Sequence, residues 1–332
     1  MSELRQDPIT RDWVIINPAR AMRPHDGGAG DVASCPFCAG HEQHATSAVD
    51  AIEGPDGRWL VRALPNKYPV LSTPPEPATD GKHAGSGRAL PGRGYHEVIV
   101  ESPEHATTLG AMPVDQARRV LEMYARRYRA LAARDGSVRQ VVLFRNQGAR
   151  AGTSLRHPHS QIVATPAVSP ETRRRVNDEI AFFDEHGRCG LCRVLKDERS
   201  AGERMVLESS SFVTIAPYAS RNPYQLQVVP RRHCPSFLEV EEGELDDLAS
   251  HLTRVVAALR ACLGEPHYNL VVASPPLDLV HRAASHWFIE ILPRVTTPAG
   301  FELGSRIVVN VKAPEQAASE LRAAAREAPR TF

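Results

Sequence analysis

The sequence has no apolar run near the roughly 20 residues that a membrane-spanning helix needs, which argues against an integral helical membrane protein. It has no surplus of either charge. Against 39 Asp and Glu stand 40 Lys and Arg, a formal charge of +1. No global field therefore draws it to nucleic acid or to an anionic membrane, and neither is expected as a partner. The first residues, Met1-Ser-Glu-Leu-Arg-Gln-Asp7, hold no apolar core of a signal peptide, so the expected compartment is the cytoplasm. Disulfides are disfavoured there, and the six cysteines need another use.

What is present fits a globular protein. The 332 residues are 42% hydrophobic and 24% charged, enough for two ordinary domains. Apolar periodicity predicts helices over 113–134, 169–186, 242–263 and 314–327. Alternating patterns predict strands at Tyr95–Glu101, Gln140–Asn146, Tyr224–Pro230, Tyr268–Val272 and Ser285–Pro293. Residues 73–93, rich in Pro, Gly and Ala, read as a flexible excursion. His96 and His267 read as strand-end residues, and His251 as solvated surface.

Four cysteines form two C-x-x-C pairs, Cys35/Cys38 and Cys189/Cys192. Each pair precedes a strand that leads to a histidine, His105 or His233. A second histidine follows, His157 52 residues after His105 and His286 53 residues after His233, with one amphipathic helix and one strand in each gap. The order describes an internal repeat with halves 1–168 and 169–332. Two thiolates and two imidazoles per half suit a closed, tetrahedral structural Zn²⁺ site. The alternative is a redox dithiol or buried thiols.

The stretch Gly152-Thr-Ser-Leu-Arg-His157-Pro-His159-Ser-Gln161-Ile-Val-Ala-Thr-Pro166 carries the chemistry. On a strand, residues i, i+2 and i+4 share a face, so His157, His159 and Gln161 point into one site. One imidazole would attack phosphorus while Gln161 donates to a phosphoryl oxygen. Aligning the repeats sets His157 against His286, His159 against Phe288 and Gln161 against Glu290. The second half keeps the metal position and has lost the reactive one, leaving one catalytic histidine, His159. For one of its nitrogens to attack, the other must be held as N–H by a backbone carbonyl.

Several motifs resemble the galactose-1-phosphate uridylyltransferases, the nucleotidyltransferase branch of the histidine triad superfamily. They are Asp7-Pro-Ile-Thr-Arg-Asp-Trp-Val14, Arg20-x-x-Arg23-Pro, Cys35-Pro-Phe-Cys38, Ser102-Pro-Glu-His105, Asn146-x-Gly-x-x-x-Gly-x-Ser154, His157-Pro-His159-x-Gln161, His286-Trp-x-x-Glu-Ile and Ala299-Gly-Phe-Glu302. The resemblance implies an α+β fold of two tandem halves, each an antiparallel sheet with helices, paired as a homodimer. It implies that a nucleotide-sugar gives its nucleoside monophosphate to His159 and that a sugar 1-phosphate takes it. His157 would be a zinc ligand. Ser154 would contact the leaving phosphate, and Arg20, Arg23, Asn66 and Asn146 would surround the nucleotide. Phe301 and Glu302 would recognise the sugar across the dimer. Ser160, counted with the substrate contacts and standing where the family's transferases usually have Gly, and the second cysteine pair lean towards the branch that phosphorolyses ADP-glucose. Pro158 leans towards the uridylyl branch. Three readings therefore stand: uridylyl transfer, ADP-sugar phosphorolysis with phosphate as acceptor, and a zinc-stapled nucleotide-binding protein with a dead site.

Overall fold

A computed structural model describes residues 2–18, 35–73, 82–84 and 86–327. The first half contains β1 (Glu3–Gln6), β2 (Trp13–Ile16), β3 (Asp50–Glu53), β4 (Trp59–Pro65), β5 (Lys82–Ala84), β6 (Gly87–Pro91), β7 (Tyr95–Val100), α1 (Val114–Ala132), β8 (Gln140–Gln147) and β9 (His159–Thr165). The second contains α2 (Pro170–His186), α3 (Gly190–Ala201), β10 (Met205–Glu208), β11 (Phe212–Ile215), β12 (Leu226–Pro230), α4 (Glu242–Leu263), β13 (Tyr268–Ala273), β14 (Phe288–Pro293), α5 (Gly300–Ser305) and α6 (Pro314–Glu327). The order β3-β4-β7-α1-β8-β9 recurs as β10-β11-β12-α4-β13-β14.

The halves share one sheet. Its order is β10-β11-β12-β14-β13-β8-β9-β7-β4-β3, with antiparallel neighbours throughout. Its middle is the β8–β13 pair, where Phe144 lies opposite Val271. From there each half repeats the other outwards. Helices α1 and α4 pack together on one face. Their buried stripes, Val120, Leu121, Tyr124 and Tyr128 on α1 and Leu245, Leu248, Leu252 and Val256 on α4, belong to one core that spans both halves. Each such side chain, fully buried, contributes about 1.5–3 kcal/mol.

Local chemistry sets the helix ends. Ser169 caps α2 by accepting from Thr172 N–H, with Pro170 next, and Gly187 ends it at φ +66°. Glu241 and Glu244 form a capping box on α4. Two departures from the sequence expectations are clear. Within 73–93, β5 and β6 form a second sheet of order β2-β1-β6-β5, where pairing with β1 supplies what local propensity does not. His251 is buried, held by Ser209 Oγ at 2.8 Å and Thr214 Oγ1 at 2.7 Å, because it sits on the inner face of α4.

Between α1 and the sheet lies a buried polar cluster. The Arg145 guanidinium meets the Glu101 carboxylate at 2.9 Å, and both are about fully buried. Tyr124 OH donates to Glu101 Oε1 at 2.8 Å and Ser160 Oγ also donates to it. Burial alone would raise the Glu101 pKa, but the Arg145 charge and these hydrogen bonds hold it below the usual carboxylate range. Glu101→Ala would leave Arg145 buried and unpaired, and should cost about 3–5 kcal/mol in urea unfolding near neutral pH. The folded pKa is depressed, so the stabilisation is present above the unfolded value of about 4.3 and is lost as pH falls through the folded value. The gap between wild type and variant should therefore narrow on acidification. A gap that widens would contradict the assignment.

Candidate active site and metal clusters

Strand β9 begins at His159, and its pleat sorts the motif. His159 and Gln161 lie on the face away from α1, where Leu64 and Val98 are buried with Phe37 packed against them. Ser160 points the other way. It is fully buried, bonded to Glu101 and beside Tyr124 of α1. The sequence reading of Ser160 as a substrate contact is thus corrected by the period of two: it sits under the strand, not in the site.

His157 precedes the strand and joins Cys35, Cys38 and His105 in a cluster whose ligand atoms all lie within 4.8 Å of one another. His157 Nδ1 is 3.7 Å from Cys35 Sγ and 3.6 Å from Cys38 Sγ. Those lengths match the roughly 3.5 Å sulfur–nitrogen edge of a tetrahedron built on ordinary Zn–S and Zn–N bonds. Its Nε2–H donates to Ser102 O at 2.7 Å, which leaves Nδ1 bare for a metal. Burial lowers the His157 pKa to about 4, so the ring is neutral. Arg62 steadies the cysteine turn by donating to Pro36 O and Phe37 O. The second cluster, Cys189, Cys192, His233 and His286, has the same form. His233 Nε2–H donates to Arg282 O at 2.7 Å, whereas His286, the counterpart of His157, has a buried Nε2 with no hydrogen-bond partner among the described residues. Cys189 and Cys192 do not form a free turn, because α3 starts between them.

His159 Nδ1–H donates to His157 O at 2.8 Å. The bond fixes the tautomer and leaves Nε2 with its lone pair. The ring lies between two cavities. One, of about 110 Å³, is lined by Phe37, Leu64, Asn66, Tyr68, Ser154 and Gln161. The other, of about 600 Å³, is polar and includes Arg145, Asn146, Arg156, Arg260 and His267. Gln161 Oε1 is 3.0 Å from His96 Nε2.

The loop from Asn146 to Ser154 is held by the second half. Gly148 has φ +81°, and a Cβ there would lie 2.5 Å from the His267 ring. Arg150 N–H donates to His267 Nδ1 at 2.9 Å. Asn269 Nδ2 donates to Asn146 Oδ1 at 2.8 Å and to Ala151 O at 2.9 Å, and Arg294 Nε donates to Asn269 Oδ1 at 2.5 Å. Sequence reasoning missed His96, His267 and Asn269. The available signal was strand parity, since His96 shares its face with Val98.

In the second half, Phe288 and Glu290 occupy the places of His159 and Gln161 at the start of β14. Arg175 of α2 lies over the Phe288 ring at 5.7 Å. Burial raises the Glu290 pKa, and Gln225 donates to it at 2.7 Å. Arg20 and Arg23 fall outside the described residues. Phe301 and Glu302 lie on α5 and are not among the described residues lining either cavity beside His159. Glu302 accepts from Ala299 N–H and Val309 N–H.

Fold and site together define a tandem, two-half protein of the histidine triad type. A profile described as the N-terminal domain of galactose-1-phosphate uridyl transferase matches residues 1–169. An ADP-glucose phosphorylase of Arabidopsis thaliana is 33% identical over 96% of this chain and 92% of its own length. A galactose-1-phosphate uridylyltransferase of Thermotoga maritima is 31% identical over 97% and 98%. A solved uridylyltransferase superposes with TM-score 0.81 at 28% identity, covering 98% of this chain and 99% of that one. The Arabidopsis thaliana ADP-glucose phosphorylase with bound ADP-glucose superposes with TM-score 0.76 at 31% identity, covering 97% and 99%. The chain belongs to the galactose-1-phosphate uridylyltransferase family, and its class is that of the nucleotidyltransferases.

The loop geometry gives a paired prediction. Gly148 and Gly152 both have positive φ, but nothing lies within 4 Å of a Cβ at Gly152. Gly152→Ala should cost about 1 kcal/mol in urea unfolding, from backbone strain alone. Gly148→Ala should cost clearly more, because it also displaces His267. Equal costs would contradict the close packing of the two halves at this point.

Proposed function

We propose that the chain moves a nucleoside monophosphate, UMP, from a nucleotide-sugar to a hexose 1-phosphate through a covalent adduct on His159. The observation that carries this is the Nδ1–H bond to His157 O, which leaves Nε2 unprotonated beside both cavities. Nε2 attacks the α-phosphorus, an N–P bond forms, and the bond to the bridging oxygen breaks. The sugar 1-phosphate leaves as an anion and needs no proton. The ring gains positive charge, which the His157 carbonyl offsets through Nδ1–H. A phosphate oxygen of the second sugar 1-phosphate then attacks the same phosphorus and releases the imidazole. Gln161 donates to a non-bridging oxygen throughout, and the work of the site is positioning. In this reading Ser154 contacts the leaving phosphate, Asn66 and Asn146 flank the nucleotide, and Arg20 and Arg23 meet its phosphates.

Both Cys/His clusters are proposed to hold Zn²⁺, with a structural role. Ligation fixes His157, whose carbonyl in turn orients His159. Free cysteines in such clusters suit a reducing cytoplasm, and among the described residues no helix is long and apolar enough to cross a membrane. The segment from α5 onwards exposes Phe301, Leu303, Ile307, Val309 and Val311. A homodimer that covers this row and brings Phe301 and Glu302 to the partner's site would account for it. The second reading, ADP-sugar phosphorolysis with inorganic phosphate as acceptor, is supported by the complete second cluster and the Ser that follows His159.

Enzyme stopped after one half-reaction with α-³²P-labelled UDP-glucose should carry label, and His159→Ala should carry none. Label from ADP-glucose alone would overturn the choice of base, and an unlabelled wild type would overturn the covalent route. Metal analysis of purified protein should give two zinc per chain, falling to one in Cys189→Ser/Cys192→Ser. A metal-free but folded and active wild type would contradict the zinc assignment.

A further inference from the structure

We propose that His96 is a positioning residue that turns the Gln161 amide towards the substrate, an inference that rests on the reading of His159 as nucleophile. His96 is buried in β7. Its Nδ1 accepts from Val70 N–H at 3.0 Å. A neutral imidazole that accepts on one nitrogen carries its proton on the other, so Nε2 is the donor. Among the described residues Gln161 Oε1 and Asn66 Nδ2 each lie 3.0 Å from Nε2. Only the oxygen can accept.

The consequences follow from the shape of an amide. Gln161 has its oxygen turned inward to His96, so its NH₂ faces outward along the cavity wall beside His159. Asn66 has its oxygen committed to Tyr68 N–H at 2.8 Å. Its orientation is therefore set by that backbone N–H and not by His96, although both amides line the same cavity. The ring thus sets the Gln161 donor where phosphoryl charge develops. A flipped Gln161 would present oxygen there and repel it.

The second half repeats the contact without the imidazole. Gln161 lies opposite Val98, two residues from His96, and Glu290 lies opposite Gln227, two residues from Gln225. Gln225 donates to Glu290 at 2.7 Å. The fold therefore supplies a donor behind this position twice, and the half with a reactive histidine uses a group whose tautomer is fixed by a backbone N–H.

Two measurements test this, one of them independent of turnover. Long-range ¹H–¹⁵N spectra of the intact protein, with His96 assigned by the loss of its signals in His96→Asn, should show the Nε2–H tautomer and an Nε2 shift that moves in Gln161→Ala. An Nδ1–H tautomer, or a shift indifferent to Gln161, would overturn the proposal. In single-turnover nucleotidylation, His96→Phe should be slower by about 10²–10³-fold with KM little changed. His96→Gln, which keeps a donor, should recover to within about tenfold of wild type. The loss should vanish in a Gln161→Ala background, because His96 acts through that amide. Losses that multiply, or a His96→Phe variant as fast as wild type, would overturn it. A wild type with the Nε2–H tautomer but no adduct would instead sink the nucleophile reading and leave the amide orientation intact.

Discussion

One hydrogen bond, from His159 Nδ1–H to the carbonyl of His157, determines what the site can do. Without it the proton is free to sit on either nitrogen, and the ring can turn. With it, the reactive nitrogen is named, and positive charge developing on the ring has an acceptor already in place. The bond depends on where the His157 backbone lies. The side chain of the same residue anchors that backbone through the cluster it shares with Cys35, Cys38 and His105 and through its own bond to Ser102 O. Two histidines two residues apart therefore have unlike duties, the first fixing the second.

A second constraint is the strand period. Because β9 alternates, reactive groups occupy one face while Ser160 on the other locks the strand to Glu101, Arg145 and α1. That cluster is costly to bury and unforgiving to break. It holds the N–H of Glu101 against Pro158 O at 3.0 Å, directly before His159. The degenerate half has an equally concrete part. Its strand β13 joins β8 at the middle of the sheet, and His267, Asn269 and Arg294 clamp the glycine loop of the first half. The half that carries Phe288 and Glu290 in place of His159 and Gln161 thus shapes the site.

Much of this was legible in the residues. Apolar periodicity located α4 and α6 to their ends, and α1 and α2 to within one or two residues. Parity aimed His157, His159 and Gln161 the same way, which holds for the last two, while His157 lies before the strand and joins the cysteines; C-x-x-C spacing paired with histidine order anticipated both Cys/His clusters. What was hidden is non-local. Nothing in Gln140–Gln147 or Tyr268–Ala273 names the other as its neighbour, so the merging of two halves into one sheet was not visible. Strands β5 and β6 form in a Pro- and Gly-rich stretch because β1 pairs with β6 and β6 with β5. His96 and His251 looked incidental because their partners, Val70, Gln161, Ser209 and Thr214, lie 26 to 65 residues away. Ser160 was misplaced for a simpler reason: family pattern was allowed to outweigh the pleat.

The most direct test of the central claim is regiochemical. After incubation with a nucleotide-sugar, ¹H–³¹P correlation on the adduct-bearing peptide reports which nitrogen of His159 holds phosphorus. Attachment at Nε2 is the predicted result. Attachment at Nδ1 would mean that the bond to His157 does not set the tautomer, and the explanation of the site would fall with it.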